Sequence, residues 1–295
     1  MAVPGDSVAN TGSELASRRA RRRCLRTAVP VKNRGMAYVA AEDAGGPSRT
    51  IGERLRTWPP PAVAATLSIA GSVVLMLVLV GIGLVITRSS LSPRIVGWDG
   101  SVERWVEVHR TATLDAWTDL GSILGGTGTI LVVAGIAIAA LLIRRLWYDA
   151  AFLGMALFIE FSAFLATTTI VDRPRPTITP LDPIPVTSSY PSGHTGAAIV
   201  TYVGLAIVLS SHIRHAAFRI AIWTLAPLIP IYVGLSRVYR GMHHPTDVLA
   251  SVVLGMGALF FALLAVHATA VAADRRRRYR RVETPRPRER SEVRA

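Results

Sequence analysis

The sequence predicts an all-α protein, a bundle of six membrane-crossing helices, and three observations carry that prediction. Apolar runs of about 20 residues with few or no charges recur along the chain, each long enough to cross roughly 30 Å of hydrocarbon. The composition is 51% hydrophobic and 18% charged, with a mean hydropathy of +0.39. The basic residues collect at the two ends and in alternate connectors, as they do in chains that fix their orientation across a bilayer. A soluble chain of 295 residues would form one or two domains with polar residues on every element.

The elements follow in order. Residues 1–58 are polar, hold the cluster SRRARRRCLR at 17–26, and read as a basic, disordered cytoplasmic arm. No aromatic interleaving or binding fold accompanies these arginines, so nucleic acid is not an expected partner. Attraction to anionic lipid, about 1 kcal/mol per basic residue near the surface, fits them better. Met36 is an alternative start, and Cys24, the single cysteine, excludes an intramolecular disulfide. The helical domain covers 59–273, with spans at 62–87, 120–143, 150–171, 192–211, 219–236 and 247–272. Its first apolar run begins too late for a cleavable signal and reads as an uncleaved anchor. Between the first two spans lies VGWDGSVERWVEVHRTATLDAWTDL, where Trp98, Val102, Trp105, Val106 and Trp117 suggest one short interfacial helix. Residues 274–295 form a basic tail, also expected to be disordered.

Orientation follows from the arginines. Six spans put both termini on one side, and both termini are basic; the connectors RRLWYD at 144–149 and SHIRHAAFR at 211–219 share that side. The bias assigns it to the cytoplasm and the chain to the cell membrane. Arg173, Arg175, Arg237 and Arg240 fall in the opposite connectors, against the bias, so a task other than topology is expected of them.

Three polar segments meet span ends on that outer side: TTTIVDRPRP at 167–176, SSYPSGHTG at 188–196 and GLSRVYRGMHHPTDVLAS at 234–251. Arg175 and Arg237 offer planar forks suited to phosphate oxygens. Ser192 and Gly193 follow Pro191 at a helix start, where free backbone N–H groups and the helix dipole favour an anion. His194 stands beside them. Asp247 lies four residues after His243 and three after His244, so either histidine could share a helical face with it. Spacing alone leaves both open.

The segments resemble the type 2 phosphatidic acid phosphatase family, whose pattern is K-x6-R-P, then P-S-G-H, then S-R-x5-H-x3-D. The chain reads Arg175-Pro176, Pro191-Ser192-Gly193-His194, and Ser236-Arg237 followed by His243 and Asp247 at the required distances. The resemblance implies a six-helix membrane phosphatase with an extracytoplasmic site, acting on a lipid phosphomonoester or diphosphate without cofactor. It implies His243 as a nucleophile that forms a phosphohistidine, Asp247 as its orienter and His194 as general acid and base. Arg175, Ser192, Gly193 and Arg237 would hold the phosphoryl oxygens, and His244 falls outside the motif, as a packing or hydrogen-bonding residue.

One position departs from the pattern. Thr168 stands where the family has lysine, and Lys32, the only lysine in the chain, is remote in sequence. Arg173 is the candidate replacement for the missing charge, with Thr168 as a possible further phosphate contact. A metal site built from His194, His243, His244 and Asp247 is disfavoured, because the arginines would repel the cation and already supply positive charge. Glu160, near the middle of the third span, reads equally as functional or as an interhelical hydrogen bond, and His267 as structural. Two rival functions share the motifs: a phosphotransferase working through the same phosphohistidine, and a degenerate scaffold that only binds or transports lipid phosphate.

Overall fold

The computed structural model describes residues 47–55 and 57–283, and every regular element among them is helical. The cluster at 17–26, Cys24, Lys32, Met36 and residues 284–295 lie outside the described residues. The helices are α1 (Pro47–Arg54), α2 (Pro60–Arg88), α3 (Ser92–Val108), α4 (Ala112–Gly125), α5 (Thr127–Ile143) and α6 (Trp147–Ile170). A composite helix follows, made of α7 (Gly193–Ala198), a π turn (Ile199–Val203) and α8 (Gly204–His212). It is succeeded by α9 (Ala216–Tyr239) and α10 (Pro245–Glu283).

Five of these are long and apolar enough to cross a membrane, and the pair α4–α5, bent by 48°, makes a sixth span if counted as one. The bend falls inside the run read from sequence as a single span at 120–143. Gly125 and Gly126 sit there, and Gly126 adopts an extended backbone with ψ 143°. Glycine costs about 1 kcal/mol in a helix interior, so two in succession end a helix that hydropathy would carry through.

Two other boundaries differ from the sequence reading. Residues 47–54, within the arm expected to lack structure, form α1, and Ile51 and Leu55 pack on Val63, Ala268 and Ala272. Their spacing of four puts both on one helical face. The last helix runs past 273 to Glu283, since nothing in DRRRRYRR breaks a helix once about eight turns of 3.6 residues already template it.

The core lies between α2, α6, the composite helix and α10, with Leu79, Phe152, Ile159, Val200, Leu254 and Leu259 at its centre. Outward faces carry exposed Leu77, Leu131, Ile136, Phe161, Leu235 and Phe260. A belt of that kind is stable only where lipid replaces water. Pro227 and Pro230 lie inside α9, a placement that packing neighbours make tolerable in membrane helices.

The stretch expected to be one interfacial helix is two. Val108 ends α3 and Thr111 caps α4, its side chain accepting from the Leu114 N–H. Trp98 and Trp105 face outward at 50% and 62% exposure, while Asp99 and Glu103 on the opposite face are 1% and 3% exposed. The helix turns these two carboxylates into the protein, beside buried Val106, and its indoles away.

Candidate functional site

All three polar segments reach one end of the bundle. Segment 171–192 leaves α6 and is pinned by Tyr190, whose buried hydroxyl donates to Leu79 O of α2 at 2.9 Å. The composite helix begins directly after it, tied to α10 where Ser251 Oγ donates to Ser192 O at 2.8 Å. Tyr202 holds the same helix to α4, its hydroxyl donating to Leu124 O at 2.9 Å. Gly241, with φ +69°, takes the left-handed turn that ends α9 and sends the chain back toward α10, a conformation that disfavours any Cβ. His243 and His244 lie in the short link that results.

His243 is buried, and its Nδ1 stands 2.6 Å from Ser189 O. A carbonyl oxygen only accepts, so Nδ1 carries the proton and Nε2 the lone pair. Burial, with Arg237 and Arg175 nearby, holds the imidazole pKa well below its ordinary value, despite the opposing effect of the Ser189 bond. The ring is therefore neutral and able to act as a nucleophile at neutral pH. His194, at the first turn of α7, is near enough to bear on its charge as well.

Asp247 lies within reach of this ring without bonding to it. Its Oδ2 is 3.9 Å from His243 Nδ1 and instead accepts the backbone N–H of His244 at 2.9 Å. Its Oδ1 accepts from Arg173. The direct hydrogen bond on the ring thus goes to the Ser189 carbonyl, and the carboxylate acts on the link that carries it.

Arg173 is held at both ends of its fork. Nη1 donates to Asp247 and to Thr246 Oγ1 at 2.8 Å, and Nη2 donates to Asp99 Oδ2 at 2.6 Å. All three charged groups are buried. Removing one member of such an ion cluster leaves a charge uncompensated, at a cost of about 3–5 kcal/mol. Arg173 consequently does not stand free as the extra phosphate cation that the sequence suggested.

Arg175 and Arg237 are placed differently. Arg175 Nη1 donates to Met242 O at 2.6 Å and Arg237 Nη1 to Asp182 Oδ2 and Ser122 Oγ, each at 2.6 Å. Both Nε atoms are buried and have no hydrogen-bond partner among the described residues, and the same holds for Thr168 Oγ1. Burial and the neighbouring Arg237 charge lower the pKa of Arg175. Two guanidiniums that repel one another, with unused donors, are the electrostatic complement of an anion. Ser192 contributes a hydroxyl 3.1 Å from Thr195 Oγ1. Gly193 lets the helix start close against the Phe164 ring, which a Cβ would meet at 2.9 Å.

Four polar residues here were not singled out in the sequence. Asp99 and Glu103 sit on α3, within the stretch expected to be one interfacial helix. Ser122 and Asp182 surround Arg237, and Asp182 also accepts from Arg240 Nη2 at 2.6 Å. Burial pushes the Asp182 carboxyl up, but the bonds from Arg240 and Arg237 outweigh it and hold it below the usual carboxylate range. The only signal available beforehand was that Arg240 and Arg237 both lay outside the positive-inside pattern and needed counter-charges.

Residues 149–270 match the family model of the PAP2 superfamily. Phosphatidylglycerophosphatase B of Bacillus subtilis (strain 168) is 38% identical over 93 residues, which is 31% of this chain and 44% of that relative. Undecaprenyl-diphosphatase of Sulfolobus acidocaldarius is 35% identical over 83 residues, 28% of this chain and 36% of that one. The matched stretch thus spans less than half the length of either curated relative. Among solved structures, the fold resembles a transmembrane PAP2 type phosphatidylglycerolphosphate phosphatase from Bacillus subtilis. The TM-score is 0.57 at 24% identity, over 64% of this chain and 92% of that one. The motifs drawn to one end of a helical bundle thus fall in the part of the chain, residues 149–270, that is similar to the PAP2 superfamily.

Proposed function

We propose that the protein is a membrane-integral phosphatase that hydrolyses a lipid phosphomonoester or diphosphate through a phosphohistidine on His243. The observation that carries this reading is the His243 ring itself: Nδ1 donates to Ser189 O at 2.6 Å, so Nε2 keeps its lone pair beside two arginines with unpartnered Nε atoms. In the first step Nε2 attacks phosphorus, the P–O bond to the lipid breaks, and His194 gives its proton to the leaving oxygen. In the second step His194 takes a proton from water, the water oxygen attacks phosphorus, and the P–N bond breaks to release inorganic phosphate. Arg175, Arg237, Ser192, Gly193 and Thr168 hold the phosphoryl oxygens and stabilise the charge that builds on them.

The arginines supply the positive charge that a divalent cation supplies elsewhere, so the proposed reaction is metal-independent. Substrate class follows from the setting: the site lies at one end of a lipid-facing bundle, where a head group can enter while its hydrocarbon tail stays in the bilayer. Phosphatidate, phosphatidylglycerophosphate and polyprenyl phosphate or diphosphate all fit. The test is phosphate release from that panel with wild type and His243→Ala assayed together, with and without a chelator. Release that needs His243 and survives chelation is expected. Release equal in both proteins, or lost on chelation and restored by a divalent cation, would contradict the mechanism.

A further inference from the structure

Asp99 and Glu103 take no part in the chemistry above. They lie one turn apart on α3, both buried, and among the described residues their hydrogen bonds go to Thr246, Arg173 and His244. Asp99 Oδ1 accepts the backbone N–H of Thr246 at 3.1 Å. Its Oδ2 accepts from Thr246 Oγ1 at 2.7 Å and from Arg173 Nη2 at 2.6 Å. Arg173 in turn donates to Asp247. Glu103 Oε1 stands 2.6 Å from His244 Nδ1, and His244 Nε2 stands 3.0 Å from Pro174 O. The Pro174 carbonyl can only accept, so Nε2 donates to it, and Nδ1 faces a carboxylate as a second donor. His244 is an imidazolium in this arrangement. Residues 244, 246 and 247, all just after His243, are therefore each tied to α3, directly or through Arg173.

We propose that Asp99 and Glu103 are positioning residues for His243, acting through Thr246, Arg173 and His244 to fix the link from which its imidazole projects. The proposal rests on the phosphohistidine reading given above. It explains why Arg173 is withdrawn from phosphate: its fork neutralises Asp247 and joins it to α3. It also explains why α3 buries Asp99 and Glu103, which reach the link while Trp98 and Trp105 face away.

The clamp is pH-dependent. The groups facing His244 are Glu103 of α3, Asp247 of α10, and Arg173 with the Pro174 carbonyl from segment 171–192. Burial lowers the His244 pKa, but the bond to Glu103 and the charge of Asp247 outweigh burial and the Arg173 charge, and the net shift is upward. As pH rises through that raised value the imidazolium loses its charge and Glu103 loses its cation, so turnover falls on the alkaline side.

The test compares wild type with Asp99→Asn, Glu103→Gln and a control, Asp149→Asn, each purified at full length in detergent. Asp149 is another buried carboxylate, 2.8 Å from His212 Nε2, between the start of α6 and the end of α8, away from the site. Phosphate release from dioleoyl phosphatidate is followed from pH 6 to 9, and histidine protonation by 15N NMR. In Asp99→Asn and Glu103→Gln, kcat is expected to fall about 10- to 100-fold with KM within about twofold of wild type. The alkaline fall in Glu103→Gln moves to lower pH, and Asp149→Asn keeps its kcat per folded molecule. The spectra should show His244 doubly protonated at pH 7 in wild type but not in Glu103→Gln, and a mixed His243 tautomer in Asp99→Asn. Wild-type kcat in both α3 variants, a loss matched by Asp149→Asn, or an unaltered His243 tautomer overturns the proposal. Absence of release from the wild type would sink the phosphatase reading alone, and the His243 tautomer then decides the positioning role.

Discussion

Two adjacent histidines differ in which of their ring atoms carry protons. His243 donates from Nδ1 to a carbonyl and stays neutral; His244 donates from both nitrogens and is charged. The two differ in a way that a stability measurement can read. Because the folded-state pKa of His244 is raised, the ion pair with Glu103 contributes fully below the unfolded value of about 6.5. That contribution disappears as pH rises through the folded value. The margin by which the unfolding temperature of wild type exceeds that of Glu103→Gln should therefore be widest near pH 6 and narrow toward pH 9; a margin that widened would mean the pair is not ionic. Arg237→Ala removes a charged donor from the phosphoryl oxygens and should lower kcat about 100- to 1,000-fold, measured as phosphate release at saturating lipid. A change confined to KM would mean that Arg237 holds ground state and transition state alike. Motif spacing made His243, Asp247, Arg175 and Arg237 legible in the sequence as a group. It could not reveal that Arg173 is paired twice, since its partners lie 74 residues away on each side.

The elements show why some of the architecture was readable and some was not. Long apolar runs announce themselves, and the spans drawn from hydropathy agree with α2, α6, the composite helix, α9 and α10 to within a few residues, apart from the extension of α10. The break between α4 and α5 depends on two glycines that hydropathy averages away. Glycines of α4 matter for packing too. Gly121 and Gly125, one turn apart on α4, abut α9, where a Cβ would meet Ser236 Cβ at 2.6 Å and Val233 Cγ1 at 2.5 Å. A Cβ on Gly125 would also meet His194 Cβ at 3.2 Å. Gly125→Ala should destabilise the protein by about 1–3 kcal/mol and cost activity beyond its loss of folded protein, because His194 is crowded along with Val233. Unfolding in detergent and turnover per folded molecule check both parts, and a stable, fully active Gly125→Ala would show that α4 moves aside at no cost. The buried carboxylates of α3 escaped notice for a different reason: periodicity finds two faces of a helix but does not say which is inside, and indoles are at home at a bilayer interface.

For the whole molecule, one consequence of the belt of exposed apolar side chains is that the two ends of the bundle face different compartments. From the arginine distribution we propose that the end bearing Arg145, His212 and Arg275 faces the cytoplasm and the site faces outward. Impermeant maleimide applied to intact cells should label a cysteine at Val186, in the fully exposed part of segment 171–192, and leave one at Arg275 unlabelled, both in a Cys24→Ser background. The reverse pattern would turn the site inward. The covalent bond proposed between His243 and the phosphoryl group can be trapped. Wild type mixed with 32P-labelled lipid phosphate and quenched within milliseconds in alkaline denaturant should retain label on the peptide that contains His243. His243→Ala should retain none. Steady turnover with no trapped label, or label on any other residue, would contradict the account.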